Sequence, residues 1–315
     1  MDTWREVRSF SEARLAECIR EDQIDILVDL AMHTEGHLLE VFARKPAPVQ
    51  VSWLAYPGST GMEAIDYRFT DASMDPVTGN DDRLGGQPVR LPDCWCCYAP
   101  LHPFPPVSPL PAAQSGTVTF GSLNQFGKLH EGILGYWARL LAMVPASRLL
   151  MLCPQGSARE RTLAVFAKHG MASERLEFVA LSPWEHYVRL FERIDLALDS
   201  FPCNGMTTTC HTLWAGVPVV TLAGRRAVSR AGRSLLQTVG LPELVASSEE
   251  QYISIAAQLA QDLPRLRGLR ASLRSRMLAS PLMDAPRFAR NIEAAYRTMW
   301  RRWCATHTSS PCPAP

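Results

Sequence analysis

The sequence predicts an α/β protein built on parallel sheets, and three observations support that prediction. Short aliphatic runs alternate with amphipathic stretches, the rhythm of buried parallel strands joined by helices. The rhythm is interrupted once, by the proline-rich stretch YAPLHPFPPVSPLPAAQSG (Tyr98 to Gly116), where helix and interior strand are both forbidden. The chain of 315 residues, 47% hydrophobic and 20% charged, has the length and composition of a globular protein with two domains of common size.

In chain order, an amphipathic helix is expected around Ser11 to Arg20, followed by the strand IDILVDL (Ile24 to Leu30). A short helical segment then runs to about Arg44, and the apolar run VQVSWLAY (Val49 to Tyr56) is the next strand. After the prolines the alternation strengthens. TVTFGSL (Thr117 to Leu123), SRLLMLC (Ser147 to Cys153), LEFVAL (Leu176 to Leu181), IDLALD (Ile194 to Asp199) and VPVVTL (Val217 to Leu222) read as strands. Helices lie between them at Ile133 to Met143, Arg159 to His169, from about Trp184, and in the stretch after Asn204. Repeated right-handed βα units give an open doubly wound sheet, whose ligands bind at the carboxyl ends of the strands. In the last stretch Phe288, Ile292, Tyr296, Met299, Trp300 and Trp303 recur at helical spacing, an apolar stripe for core or interdomain packing. The division expected is a first lobe over residues 1–105, a linker over 106–116, a second lobe over 117–285, a helix over 286–303 packing across the lobes, and a tail over 304–315.

Charge and cysteine usage exclude several functions. Lys and Arg number 32 against 31 Asp and Glu, so no net field draws the chain to nucleic acid or an anionic bilayer. No apolar run reaches the length of a membrane span, and the start, MDTWREVRSFSEARLAECIRED, is charged and mixed; a cytoplasmic protein is expected. The nine cysteines are scattered rather than framed, which predicts reduced thiols. Cys94, Cys96 and Cys97 cluster, but no second pair or histidine set stands nearby at finger-like spacing, and no metal site is expected.

The stretch NGMTTTCHTLWAGVPVV (Asn204 to Val220) places three threonines, Thr207 to Thr209, where a buried strand gives way to a helix. Asn204-Gly205 makes the turn, and Gly216 followed by Pro218 ends the helix. Two readings stand. The threonines cap the helix, or they sit where unpaired N–H groups and the positive end of the macrodipole attract an anion, with hydroxyls as added donors. FGSLNQFGKLH puts Gln125 and Lys128 at an equivalent junction; the lysine either neutralises a diphosphate or is a solvated loop residue. LSPWEHYVRLF sets His186 and Arg189 one turn apart on one face, an anion contact or an ordinary polar face. Arg225, Arg226, Arg230 and Arg233 follow a further strand, as an anion patch or as helix surface.

These motifs, with DLAMHTEG, ARKPAPVQVSWLAYPGSTG, ALDSFPCNGMTTTCHTLWAGVPVVTL, VSRAGRSLL and SPLMD, resemble the catalytic region of protein O-linked N-acetylglucosamine transferases and their SPINDLY-like relatives. The resemblance runs from about Ile24 to Trp303. It implies a GT-B fold of two Rossmann-like lobes, inverting transfer from UDP-N-acetylglucosamine to Ser or Thr hydroxyls of protein or peptide acceptors, and no metal or other cofactor. It places donor contacts on Gln125, Lys128, Leu181 (through its backbone), His186, Arg189, Met206, Thr207, Thr208 and His211, with Lys128 stabilising the departing UDP. Three positions depart from the family pattern: His211 stands where an acidic residue is usual, Met206 where histidine is frequent, and Pro183 near the place of a family lysine. Family members also carry tetratricopeptide helices ahead of this region and start their first lobe earlier, in a part that includes an active-site histidine.

From these departures the first lobe is expected to be incomplete, with about three or four strands, and to leave a strand edge or apolar face that promotes association. A non-catalytic UDP-sugar-binding remnant, or a relative using UDP-glucose or GDP-fucose, are the alternatives to a working transferase. His33, after the IDILVDL strand, is a candidate base set against the commoner structural role of a strand-end histidine.

Overall fold

Ser11 opens the first helix: its Oγ accepts the Arg14 N–H at 3.3 Å, and α1 spans Glu12–Glu21. In the computed structural model, which describes residues 3–77 and 85–307, there follow β1 (Ile26–Asp29), α2 (Leu39–Ala43), β2 (Val49–Ser52), β3 (Tyr67–Asp71) and β4 (Gln87–Leu91). The four strands form one parallel sheet in the order β1-β2-β3-β4. Aspartates close two of them. Asp29 accepts the N–H groups of Ala31 and Met32 at 3.0 to 3.1 Å, and Asp71 accepts those of Ser73 and Met74 at 2.8 and 2.7 Å, so each carboxylate fixes the turn that leaves its strand. The β4 edge of the sheet is blunted. Gln87 donates its N–H to Asp66 of the neighbouring strand's approach, so the next residue, Pro88, faces outward and has no N–H to offer an incoming strand. His33 lies exposed in the loop after β1, its ring 6.3 Å from that of His37.

The second unit comprises Cys97–Asp284. Its elements are α3 (Ala112–Ser115), β5 (Val118–Ser122), α4 (Glu131–Met143), β6 (Ser147–Leu152), α5 (Ser157–Lys168), β7 (Leu176–Val179), α6 (Trp184–Leu190), β8 (Leu196–Leu198), α7 (Thr207–Trp214), β9 (Val219–Leu222), α8 (Ala231–Thr238), β10 (Val245–Ala246), α9 (Glu249–Gln261) and α10 (Leu263–Ala279). Six parallel strands are ordered β10-β9-β8-β5-β6-β7. The chain starts at β5, builds outward through β6 and β7, then returns to β8 on the other side of β5 and builds outward to β10. The reversal between β5 and β8 opens a crevice beyond their carboxyl ends. The strands are apolar on both faces because helices cover both: Phe120, Leu149, Leu150, Leu196 and Val220 have no exposed surface.

The proline-rich stretch is fastened to this second unit. The buried Arg270 guanidinium donates to the Ser108 carbonyl and hydroxyl at 2.8 and 2.7 Å, and to the Ile194 and Phe191 carbonyls at 2.7 and 3.0 Å. Asp195 accepts the Ala112 and Thr119 N–H groups, both at 2.8 Å. Prolines keep the segment extended as far as Leu110, but against the expectation of no helix in this stretch Ala112–Ser115 form α3, since Pro111 stands at its start, where a proline is tolerated. The buried bonds satisfy polar groups that the segment lays against the unit.

The last helix, α11 (Ala285–His307), groups with residues Met1–Cys96 as the first unit. Its stripe of Phe288, Ile292, Tyr296, Trp300 and Trp303 packs on a core of Val49, Val51, Phe69, Leu91 and Met299. Trp53 stacks on Phe288 with ring centroids 5.7 Å apart, and Phe69 meets Tyr296 edge-on at 5.5 Å. Residues expected to begin a tail at 304 continue this helix to His307; 308–315 lie outside the described residues. Met299 is 1% exposed at the centre of the cluster, so Met299→Ala is expected to cost about 2–5 kcal/mol. Urea unfolding followed through tryptophan fluorescence should show the first unit's transition moving and the second unit's holding.

Candidate active site

The two loops flanking the crevice of the second sheet meet at one peptide group. After β5 the chain passes Asn124 and Gln125 into a single 3-10 turn, Phe126–Lys128. This turn brings the Lys128 ammonium 2.8 Å from the carbonyl oxygen of Asn204, in the loop between β8 and α7. The N–H on the other side of the same peptide, that of Gly205, donates to Asp199 Oδ1 at 2.7 Å. Asp199 follows β8 directly and is 1% exposed. It also accepts the Ser200 N–H at 2.9 Å, the Thr221 hydroxyl at 2.7 Å and Asn124 Nδ2 at 3.4 Å. Burial pushes this carboxyl up to about 6, against the opposing pull of Thr221, Gly205, Lys128 and Ser200.

Thr207 is the first residue of α7, and the residue before it, Met206, makes no side-chain cap. Helices α1, α9 and α10 differ: Ser11, Ser248 and Asp262 accept N–H groups of their first turns. The threonines therefore do not cap α7. They ring its open end, with Thr207 exposed and Thr208 half-buried, while Thr209 is buried. The first amides of this eight-residue helix are without a side-chain cap, which is compatible with the anion reading of TTT.

Asn204 holds the turn rigid. Its buried amide donates to the Ser200 carbonyl at 2.9 Å, and its Oδ1 accepts the Gly232 N–H at 3.3 Å from the start of α8. Behind it the Tyr252 hydroxyl donates to the Asp199 carbonyl at 3.0 Å and accepts the Trp137 indole N–H at 3.1 Å. The sequence marks Asn204 only as a turn residue and does not single out Asp199, Asn124 and Tyr252 as site residues. The legible signal was the carboxylate ending LALD, a residue type that a buried apolar strand does not otherwise carry.

The remaining candidates divide. His211 lies on α7 within an aromatic cluster. Its Nδ1 is 3.3 Å from the Tyr187 hydroxyl, and Trp184, Phe104, Tyr187 and Tyr98 surround the ring at centroid distances of 5.3 to 6.0 Å. Burial, with His102 nearby, pulls this imidazole down to about 4, so it is neutral at physiological pH. Tyr187 and Trp184 bring α6 against α7, which sets exposed His186 and Arg189 on a neighbouring helix without a described contact to Lys128 or the threonines. Leu181, in the loop before α6, is 88% exposed, and Gln125 is exposed at the start of its 3-10 turn. Among the described residues, then, Lys128 meets the Asn204 carbonyl, two residues ahead of Met206 and the threonines; Gln125, Leu181, His186 and Arg189 lie in the loops and helix that follow β5 and β7. Arg225 and Arg226 are exposed after β9, and Arg230 donates to the Arg225 carbonyl at 2.7 Å.

The sequence matches glycosyl transferase family 41 over residues 7–83 and 110–292. The chain belongs to this family. It is 44% identical, over 305 residues, to a Petunia hybrida protein named "Probable UDP-N-acetylglucosamine--peptide N-acetylglucosaminyltransferase SPINDLY", a match that covers 96% of this chain and 33% of that protein. The chain thus spans about a third of the length of such relatives. A solved mutant of Thermobaculum terrenum O-GlcNAc transferase superposes with a TM-score of 0.88 at 38% identity, covering 97% of this chain and 58% of that one. Anabaena Alr3699/HepE, solved in complex with UDP and glucose, has a TM-score of 0.58 at 13% identity over 94% of this chain and 84% of its own, which shows the fold alone. The fold is of the GT-B type, with a parallel sheet in each unit. No helix among the described residues is long and apolar enough to cross a membrane.

The aromatic cluster gives a pH prediction. Because the folded imidazole of His211 sits below its ordinary 6.5, the unfolded chain takes up the proton first, and stability is lost as pH falls from 6.5 toward about 4. His211→Phe removes that loss, so chemical denaturation should show the variant gaining on the parent across this window and holding a constant difference above it.

Proposed function

We propose that the chain carries the donor site and leaving-group machinery of an inverting transferase that moves N-acetylglucosamine from UDP-N-acetylglucosamine to Ser or Thr hydroxyls of proteins. The observation that supports it most is the contact of Lys128 with the Asn204 carbonyl, in the loop that leads into the uncapped start of α7 at the β5/β8 strand ends, where this fold class binds its ligands. The relatives' names supply the sugar and the acceptor class.

In this reading the acceptor oxygen attacks the anomeric carbon from the face opposite UDP. The new carbon–oxygen bond forms as the bond to the β-phosphate oxygen breaks, the electron pair leaves with the diphosphate, and the configuration inverts. Negative charge grows on the diphosphate during that step. Lys128 and the first amides of α7 are already in place to receive it, so stabilisation increases toward the transition state without reorganisation. The threonine hydroxyls are neutral donors to the phosphate oxygens; by family resemblance Gln125 and His186 contact the uridine and diphosphate, the Leu181 backbone the uracil, and Arg189 belongs to the donor site.

Two measurements test this. Radiolabelled UDP-N-acetylglucosamine incubated with the chain and an acceptor peptide should give transfer or slow donor hydrolysis, and Lys128→Ala should lower kcat by roughly 10²–10³. Tight UDP binding with no turnover of either kind would instead identify a nucleotide-binding module, and absence of UDP binding would defeat the donor site. Thr208→Val, which removes a hydroxyl and keeps the amide, should cost no more than about tenfold, because the backbone groups and the macrodipole remain.

A further inference from the structure

We propose that Asp199 is a positioning residue for the donor diphosphate: acting through the Asn204–Gly205 peptide, its carboxylate fixes where the Lys128 ammonium and the first amides of α7 stand. The inference rests on the donor-site reading above and adds to it a residue that touches neither donor nor acceptor.

The geometry is a three-part chain. Asp199 Oδ1 accepts the Gly205 N–H at 2.7 Å, and the carbonyl of that same peptide, on Asn204, accepts the Lys128 ammonium at 2.8 Å. Hydrogen bonds at the two ends of one amide polarise each other, so a negative charge on the N–H side strengthens the carbonyl as an acceptor for the positive charge on the other. The peptide cannot tilt away. A Cβ on Gly205 would stand 2.6 Å from Asn124 Oδ1 and 3.1 Å from Asp199 Oδ1, and one on Gly232 would stand 2.6 Å from Asp199 Oδ2 and 2.3 Å from Thr221 Oγ1. The starts of both α7 and α8 are thus pressed onto the carboxylate, and only glycine permits that approach.

A neutral side chain would tie these turns at less cost, since burying an ionised carboxylate is expensive unless it is paired and hydrogen-bonded. Here the charge has a use. Oδ2 is held by Thr221 and Oδ1 by two amides and Asn124, while Lys128 supplies the opposite charge across the peptide. Among groups packed on Asp199, Lys128 is the ammonium and Tyr252 the phenol, the latter reaching Asp199 through its main-chain carbonyl.

The test is a double-mutant cycle read by calorimetric titration of UDP into the whole chain. Lys128→Ala and Asp199→Asn should each weaken UDP by about tenfold, and the double variant should bind no more than about twofold worse than Lys128→Ala alone, because the two act on one contact. A double variant weakened by the product of the two single losses would show Asp199 to be structural only and overturn the proposal. Failure of the parent chain to bind UDP would sink the donor-site reading itself, a result distinct from additivity. Should thermal scans show Asp199→Asn unfolded, Thr221→Val takes its place, with about a threefold loss expected in the parent and none in the Lys128→Ala background. Equal losses in both backgrounds, or none in either, would overturn the proposal.

Discussion

A single amide, the Asn204–Gly205 peptide, is the constraint on which the second unit's ligand face depends. It is bound on one side by a buried carboxylate and on the other by an ammonium, and it lies immediately before the helix whose first turn is left open. Turn the peptide over and Lys128 loses its carbonyl, Asp199 loses one of its four donors, and the amide of Gly205 is left without its acceptor in the interior. Buried polar groups of this kind are costly when unmade, which makes the loop conformation nearly all-or-none.

The fold uses one device repeatedly before adding a second purpose to it. Strands β1 and β3 end in Asp29 and Asp71, whose carboxylates each accept N–H groups from the turn that follows. Asp71 also accepts the Trp95 N–H beyond β4, and Asp199, which holds Ser200 and Gly205, reaches two further strands' segments through Thr221 and Asn124. A local strand terminator has become the node joining the exits of β5, β8 and β9. Those exits flank the point where strand order reverses, so the node and the crevice coincide.

Much of this was legible in the sequence, and the unread part has physical reasons. The buried strands of the second unit and the aromatic stripe of α11 showed themselves because burial imposes period and composition directly. β3 (YRFTD) and β4 (QPVRL) are only partly covered, carry Arg68 and Arg90, and so lack a clean apolar run. At the site, Lys128 and the threonines stand out by type and position, whereas the absence of a side-chain cap at Met206 is visible only in the fold. His211 is a donor contact by the family resemblance, and its environment of Tyr187, Trp184, Phe104 and Tyr98 comes from two distant segments that no local spacing reveals. Asn124, Asn204 and Asp199 act through tertiary hydrogen bonds in the same way.

The most direct test is a crystal structure of the chain with UDP. The diphosphate should lie within hydrogen-bond distance of the Thr207 and Thr208 amides and of Lys128 Nζ, with the ammonium still on the Asn204 carbonyl and Gly205 still on Asp199. A diphosphate seated elsewhere, or one that draws Lys128 off the carbonyl while the peptide turns, would contradict the account.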